Sequence, residues 1–438
     1  MGGLAYTLAF FVVALSVIVA VHEYGHYIVG RWTGIEAEVF SIGFGPVLAS
    51  RVDRRGTRWQ LAALPFGGYV KFKGDADGAS AQADEDALAS MNSEELRHTM
   101  HAAPLWARSA TVAAGPIFNF VLSILVFAAV LFARGEAVDP LTIEDIAPLP
   151  PAYVNELQPG DQILAIAGEP APSREGLGAF LEELPDTMAM SYRVRRDGEE
   201  IVVQGPHPQP PLVRSLSPQS AALDVEMRVG DVVTAIDGVP VASFAQMART
   251  VAESEGRALV FDVWRNGEEL QFAVAPRRTD LPRPEGGFET RWLIGVTGDF
   301  FFTAATASPG PLTALWGGVG QTWFIITSSV SGLWHMISGA ISSCNLSGPI
   351  GIAETSGAMA SQGVLAFIWF VAVLSTAVGL LNLFPIPILD GGHLVFYAYE
   401  ALAGRPPSQR ALQILMGAGL TFILSLMLFA VATDIFCP

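Results

Sequence analysis

LAYTLAFFVVALSVIVAVHEYGHYIV, Leu4–Val29, decides how this chain is read. The stretch is almost wholly apolar and longer than the ~20 residues needed to cross a bilayer as a helix. Its C-terminal part nevertheless carries His22, Glu23 and His26 in an H-E-x-x-H pattern. Ionisable groups inside hydrocarbon cost several kcal/mol unless they are paired or bound to metal. On a helix the two histidines, four residues apart, stack on one face and can share a zinc ion. Glu23 sits roughly 100° around the axis from His22 and roughly 60° from His26, from 3.6 residues per turn. That places it beside the ligands, where a carboxylate can take a proton from an attacking water. Two imidazoles with an oxygen ligand suit zinc. The bland alternative is a polar helix end facing lipid headgroups. A cleaved signal peptide is not expected, because MGGLAYT has no basic residue and no A-x-A site follows.

Three more stretches are apolar enough to span: 110–133, 364–390 and 411–433. With 1–30 they make a polytopic α-helical membrane protein with four transmembrane helices. The whole chain agrees: of 438 residues 51% are hydrophobic and only 15% charged, against about 25% charged in soluble domains. An ordinary cytosolic enzyme and a disordered chain are both excluded. The net charge of −17 argues against a nucleic-acid partner, which needs a basic face. Cys344 and Cys437 are too few for a disulfide framework and are expected to be incidental thiols.

Basic residues near helix ends set the orientation. The segment 31–109 holds Arg31, Arg51, Arg54, Arg55, Arg58, Lys71, Lys73, Arg97 and Arg108, and the loop before the last helix holds Arg405 and Arg410. Both segments are therefore expected in the cytoplasm, with both termini outside. The long stretch between helices two and three then lies outside, and its 27 acids against 14 bases between Arg134 and Ser308 make it strongly acidic. The segment 309–345 is apolar but broken by glycines; it is expected to lie on the outer surface as amphipathic helix. A crossing there would place the ends of helices one and three on opposite faces.

Within the external stretch LQPGDQILAIAGEPAP (Leu157–Pro172) is repeated as MRVGDVVTAIDGVPVA (Met227–Ala242), and RRDGEE (Arg195–Glu200) as RNGEE (Arg265–Glu269). Each copy reads as turn, strand, glycine turn, helix, strand, hairpin, strand. The two units, 141–206 and 211–277, are similar to the PDZ (α+β) domains of bacterial envelope proteases. That likeness implies peptide recognition or steric filtering; plain spacers are the alternative.

Two histidines leave a catalytic zinc one protein ligand short. Asp390, in NLFPIPILDGGH (Asn382–His393), is the other acid embedded in apolar sequence. Pro385 and Pro387 break the helix just before it, and broken backbone at membrane depth is tolerated only where it lines a cavity or is covered by protein. Asp390 is the expected third ligand, with His393 as the rival.

Taken in order, HEYGH, GFGP (Gly43–Pro46), LPFGGYVKFKG (Leu64–Gly74), GPIFNF (Gly115–Phe120), the tandem repeats, NLSGPIGIA (Asn345–Ala353) and NLFPIPILDGGH resemble the site-2 protease family of intramembrane zinc metalloproteases, in its bacterial RseP-type branch. The resemblance implies one zinc per chain on His22, His26 and Asp390, with Glu23 as general base. It implies substrate binding by Asn382, Pro385, Pro387 and Asn119, the last on helix two facing the site, with helix packing as the alternative for that residue. It makes the strand–turn–strand Val39–Lys73, with Gly67–Gly68, a re-entrant, membrane-associated β-hairpin in the cytoplasmic segment 31–109. It further implies regulated intramembrane proteolysis in an envelope stress response, in the bacterial inner membrane, with the termini and PDZ domains periplasmic and the active site near the cytoplasmic side. The expected substrates are single-pass proteins: an anti-sigma factor already cut outside, and remnant signal peptides. Two rivals from other classes are a PDZ scaffold without catalysis, which has no need of Glu23, and a metal transporter, which would show broken helices in two halves.

Overall fold

The computed structural model describes residues 3–76, 84–172, 176–218, 220–283 and 287–437. They form two compact units: residues 1–130, 311–333 and 346–438, and residues 131–310 with 334–345.

The first unit holds four helices long and apolar enough to cross a membrane. These are α1 (Leu4–Trp32), α2 (Leu105–Arg134), α5 (Val364–Asn382) and α7 (Gln409–Phe436). Between them lie α3 (Pro311–Ile337), α4 (Pro349–Ser361) and α6 (Asp390–Ala403). Helix α3 covers the glycine-broken segment and is not among the four spanning candidates. Its buried residues Ala314, Gly318 and Thr322 recur every fourth position, and Gly318 lies against the Ile124 carbonyl of α2. Small residues at this spacing let two helix backbones approach closely.

The same device brings α1 and α2 together. A Cβ on Gly25, inside HEYGH, would stand 2.5 Å from the Ala114 carbonyl oxygen. Helices with larger residues there would be held apart. Above this crossing Ala14 and Ile18 pack with Val371 of α5. Below it Tyr27 packs with Phe40, Val70, Phe72, Met100 and Ala107.

Strands β1 (Ala37–Val52) and β2 (Arg58–Phe72) form the hairpin. Its turn falls at Asp53–Thr57, not at Gly67–Gly68, because the Asp53 carboxylate accepts from the Arg55 and Thr57 amides and Gly56 takes φ +86°. Gly67 and Gly68 lie inside β2. Val39–Ile42 pairs at once with Arg58–Leu61 and with Gly68–Lys71, so the two strands are doubled over into a small sheet.

The third spanning helix is also shorter than the apolar run. It stops at Asn382, and Asp390 opens α6 after a non-helical loop. Pro385 and Pro387 lack the amides a continuing helix needs. The loop can turn back because α6 starts Asp390-Gly391-Gly392: a Cβ on Gly391 would lie 2.3 Å from the Leu383 and Phe384 carbonyl oxygens.

In the second unit the repeat is visible as two four-stranded antiparallel sheets. One runs in the order Glu169–Pro170, Gln162–Ile166, Met190–Arg196, Glu199–Gly205; the other runs Val239–Pro240, Val232–Ile236, Leu259–Arg265, Glu268–Val274. A helix, Leu177–Glu183 or Phe244–Glu253, precedes the third strand of each. The hairpins turn on Asp197-Gly198 and Asn266-Gly267, all at positive φ as a two-residue type I′ turn requires. Each GD turn is locked identically: Arg196 grips buried Asp161, and Arg265 grips buried Asp231, through two nitrogens each. Bidentate pairs of this kind are stronger than neutral hydrogen bonds. Short strands from 296–307 also join these sheets' surroundings, Phe302–Ala304 pairing Ile143–Ile146 and Val296–Thr297 pairing Ser215–Leu216. Strands of two or three residues leave no periodicity to read.

Cys344 and Cys437 are not incidental thiols: both are disulfide-bonded. Two cysteines carry no spacing pattern to read, so only the folded chain reveals their bonded state.

Candidate metal centre

His22 and His26 project from one face of α1 with ring centroids 4.8 Å apart and planes nearly perpendicular. Their Nε2 atoms are 3.2 Å apart. Asp390 at the start of α6 brings Oδ2 to 3.1 Å from His22 Nε2 and 3.5 Å from His26 Nε2. Among the described residues this is the one group of three His, Cys, Asp or Glu side chains able to hold a metal. Three tetrahedral ligands at zinc bond lengths of ~2.0–2.1 Å stand about 3.3 Å from one another. The observed separations bracket that value. Asp390 Oδ2 is also buried with no hydrogen-bond donor. A carboxylate oxygen in that state is costly unless a cation answers it. The donor set therefore fits zinc. His393, the rival ligand, is not in the group; it stands in the cavity wall, edge-on to Phe396.

A cavity of about 630 Å³ opens over the three ligand atoms. Glu23, Tyr69, Val70, Asn382, Ile388 and His393 are among the residues that line it. The Val70 amide of β2 faces the Glu23 carboxylate. Of the residues expected to touch substrate, Asn382 lines the cavity, its amide donating to the Val378 carbonyl at 3.0 Å. Pro385 and Pro387 do not form the wall. Pro387 packs on Gly419 of α7, within the loop that leads to Asp390. Asn119 is fully buried and is not in the wall either.

Helix α2 closes the back of the site with three positions one turn apart. The Thr111 carbonyl accepts from His26 Nδ1 at 2.9 Å, and the Asn119 amide stands 3.2 Å from His22 Nδ1. Between them Gly115 leaves room for the rings: its Cβ would lie 2.3 Å from His26 Nε2 and 2.8 Å from His22 Cε1. A Gly115→Ala substitution is thus expected to push the imidazoles off the ligand geometry. The expected result is zinc affinity lower by at least tenfold in a folded protein, read by chelator competition. The Thr111 carbonyl is a backbone group, which no residue pattern announces.

The model of peptidase family M50 matches residues 10–426. A protein of Agrobacterium fabrum named as a zinc metalloprotease is 37% identical over 428 residues, 97% of this chain and 94% of the relative. A similarly named protein of Rhizobium meliloti is 35% identical over 433 residues, 99% of this chain and 97% of its own. A regulator of sigma E protease of Salmonella typhimurium is 30% identical over 458 residues, 98% of each chain.

Proposed function

The chain belongs to peptidase family M50, the site-2 proteases, and is a zinc metalloendopeptidase; from that premise we propose that it cuts single-pass membrane proteins within the bilayer, using His22, His26 and Asp390 to hold one zinc ion and Glu23 as general base. The observation that carries this reading is the three-atom group, contributed by an apolar spanning helix and a proline-broken loop, with a carboxylate beside it. A zinc ion held by His22, His26 and Asp390 would polarise the scissile carbonyl and make water a better nucleophile at neutral pH. Glu23 takes the proton of the attacking water and returns it to the leaving amine.

The second half of β2, Gly68–Phe72, supports a role in substrate handling. It pairs with β1 on one side, and Gly68, Tyr69, Val70 and Phe72 line the cavity. A helical substrate has its amides satisfied, so the scissile segment must unwind before water can attack. An extended segment laid along β2 would have its backbone hydrogen bonds met there. Asn382, which also lines the cavity, would hold it near the ligands.

The two repeated units are read as PDZ domains that recognise or sterically filter substrates outside the membrane. The chain is placed in a bacterial inner membrane, termini and PDZ units periplasmic, site towards the cytoplasm. The disulfide-bonded Cys344 and Cys437 both fall on the periplasmic side of that arrangement, where disulfides persist. The Salmonella relative is named for sigma E. By that likeness the substrates proposed are an anti-sigma factor after an external first cut, and remnant signal peptides, in an envelope stress response.

Two experiments test this. The purified protein in liposomes should cleave a single-pass substrate, stop on chelation and recover with added zinc; cleavage that survives chelation overturns the reading. Topology reporters fused after Ser342 and after Arg405 should report outside and inside respectively. A cytoplasmic signal at Ser342 would overturn the arrangement, since α3 would then cross.

A further inference from the structure

We propose that Asn119 is a positioning residue for zinc, one that holds His22 by its outer nitrogen and does not contact substrate. The inference rests on the zinc site proposed above. His22 turns Nε2 towards Asp390 and His26. If Nε2 is the ligating atom, the ring's proton sits on Nδ1, which then needs an acceptor. The group within reach is the Asn119 amide, 3.2 Å away. Its oxygen is buried and has no donor of its own. A half-turn of the amide about its last side-chain bond, which exchanges its oxygen and nitrogen, sets that acceptor on the Nδ1 proton. His26 is held in the same way from the same helix, by the Thr111 carbonyl at 2.9 Å.

The arrangement has a physical purpose. A ligating imidazole whose outer N–H is held has its tautomer and ring direction set before metal arrives, and its ring nitrogen is more basic. Thr111 performs this for His26 with a backbone atom that no substitution removes. For His22 the acceptor is a side chain, so position 119 can be tested. The backbone there is fixed independently, since the Ser123 and Ser375 hydroxyls both donate to the Asn119 carbonyl, at 2.9 and 3.0 Å. Changing the side chain leaves those two bonds in place.

The test compares zinc affinity by chelator competition, and KM with kcat on a membrane substrate, for the wild type, Asn119→Leu, Asn119→Ala and Asn119→Asp. Wild-type protein must first hold one zinc per chain; if it holds none, the zinc site itself fails, and that is a different result. Asn119→Leu and Asn119→Ala should each bind zinc about 10–100-fold more weakly. Asn119→Asp, which keeps an acceptor oxygen, should recover most of that affinity. Once saturated with zinc, the variants should show KM near that of the wild type. Unchanged affinity with a raised KM would make Asn119 a substrate contact and overturn the proposal. Weakened affinity that Asn119→Asp does not recover would also overturn it, since packing alone would then explain the loss. Thermal melts of the zinc-free proteins identify any variant that is unfolded, and Asn119→Ala carries the test if Asn119→Leu fails to fold.

Discussion

Purified Glu23→Gln should keep its zinc and its fold and lose peptide cleavage by about 10²–10⁴-fold, the contribution of a positioned general base. The amide is the same size as the carboxylate and fits the same space. What it loses is the capacity to take a proton. Glu23 is not one of the three grouped ligand atoms, so metal content should not change. Zinc analysis and cleavage measured on the same preparation separate the two effects. Near wild-type cleavage by a zinc-loaded Glu23→Gln would remove Glu23 from the mechanism. The scaffold reading would fare differently: there the substitution changes nothing a binding assay can see.

The second large effect is expected at Asp390. Asp390→Ala should release zinc from the purified protein and abolish cleavage, and His22→Ala and His26→Ala should do the same. A catalytic zinc with three protein ligands is left with two. In Asp390→Ala the imidazoles also lose the only carboxylate in the group. Asp390→Asn is the sharper comparison, because it keeps the shape of the loop and the bond-forming oxygen but not the charge; it should bind zinc more weakly than wild type and better than Asp390→Ala. Full zinc occupancy in Asp390→Ala would reject the assignment and return His393, which stands in the same cavity wall, as the ligand to test.

Much of this was legible in the residues because the physics involved is local. An apolar run has one stable solution in lipid, a helix, since every backbone group must be satisfied internally. Four of the runs are helices long and apolar enough to span. Histidines four apart on a helix share a face whatever surrounds them, so the pairing of His22 and His26 followed from spacing alone. The repeated GD and DG or NG turns carried their own geometry, because only particular residues tolerate positive φ. The repeat therefore appeared as two matching sheets, each locked by an Asp–Arg pair.

Other features depended on elements distant in sequence. Whether Asp390 or His393 joins the histidines turns on how a loop of two prolines folds against Gly391. The turn of the hairpin moved to Asp53 because three local donors there outweigh the flexibility of Gly67–Gly68. The disulfide-bonded state of Cys344 and Cys437 had no sequence pattern at all. Asn119 shows the boundary most clearly. The sequence by itself determined that an amide lies in the second apolar stretch; that it faces the site was only what the resemblance implied. Only the tertiary structure decided that it points at the back of His22 and away from the cavity. The reason is that Gly25 and Gly115 let α1 and α2 approach until backbone meets side chain, and contact at that distance is a property of two helices together, which neither stretch of sequence contains.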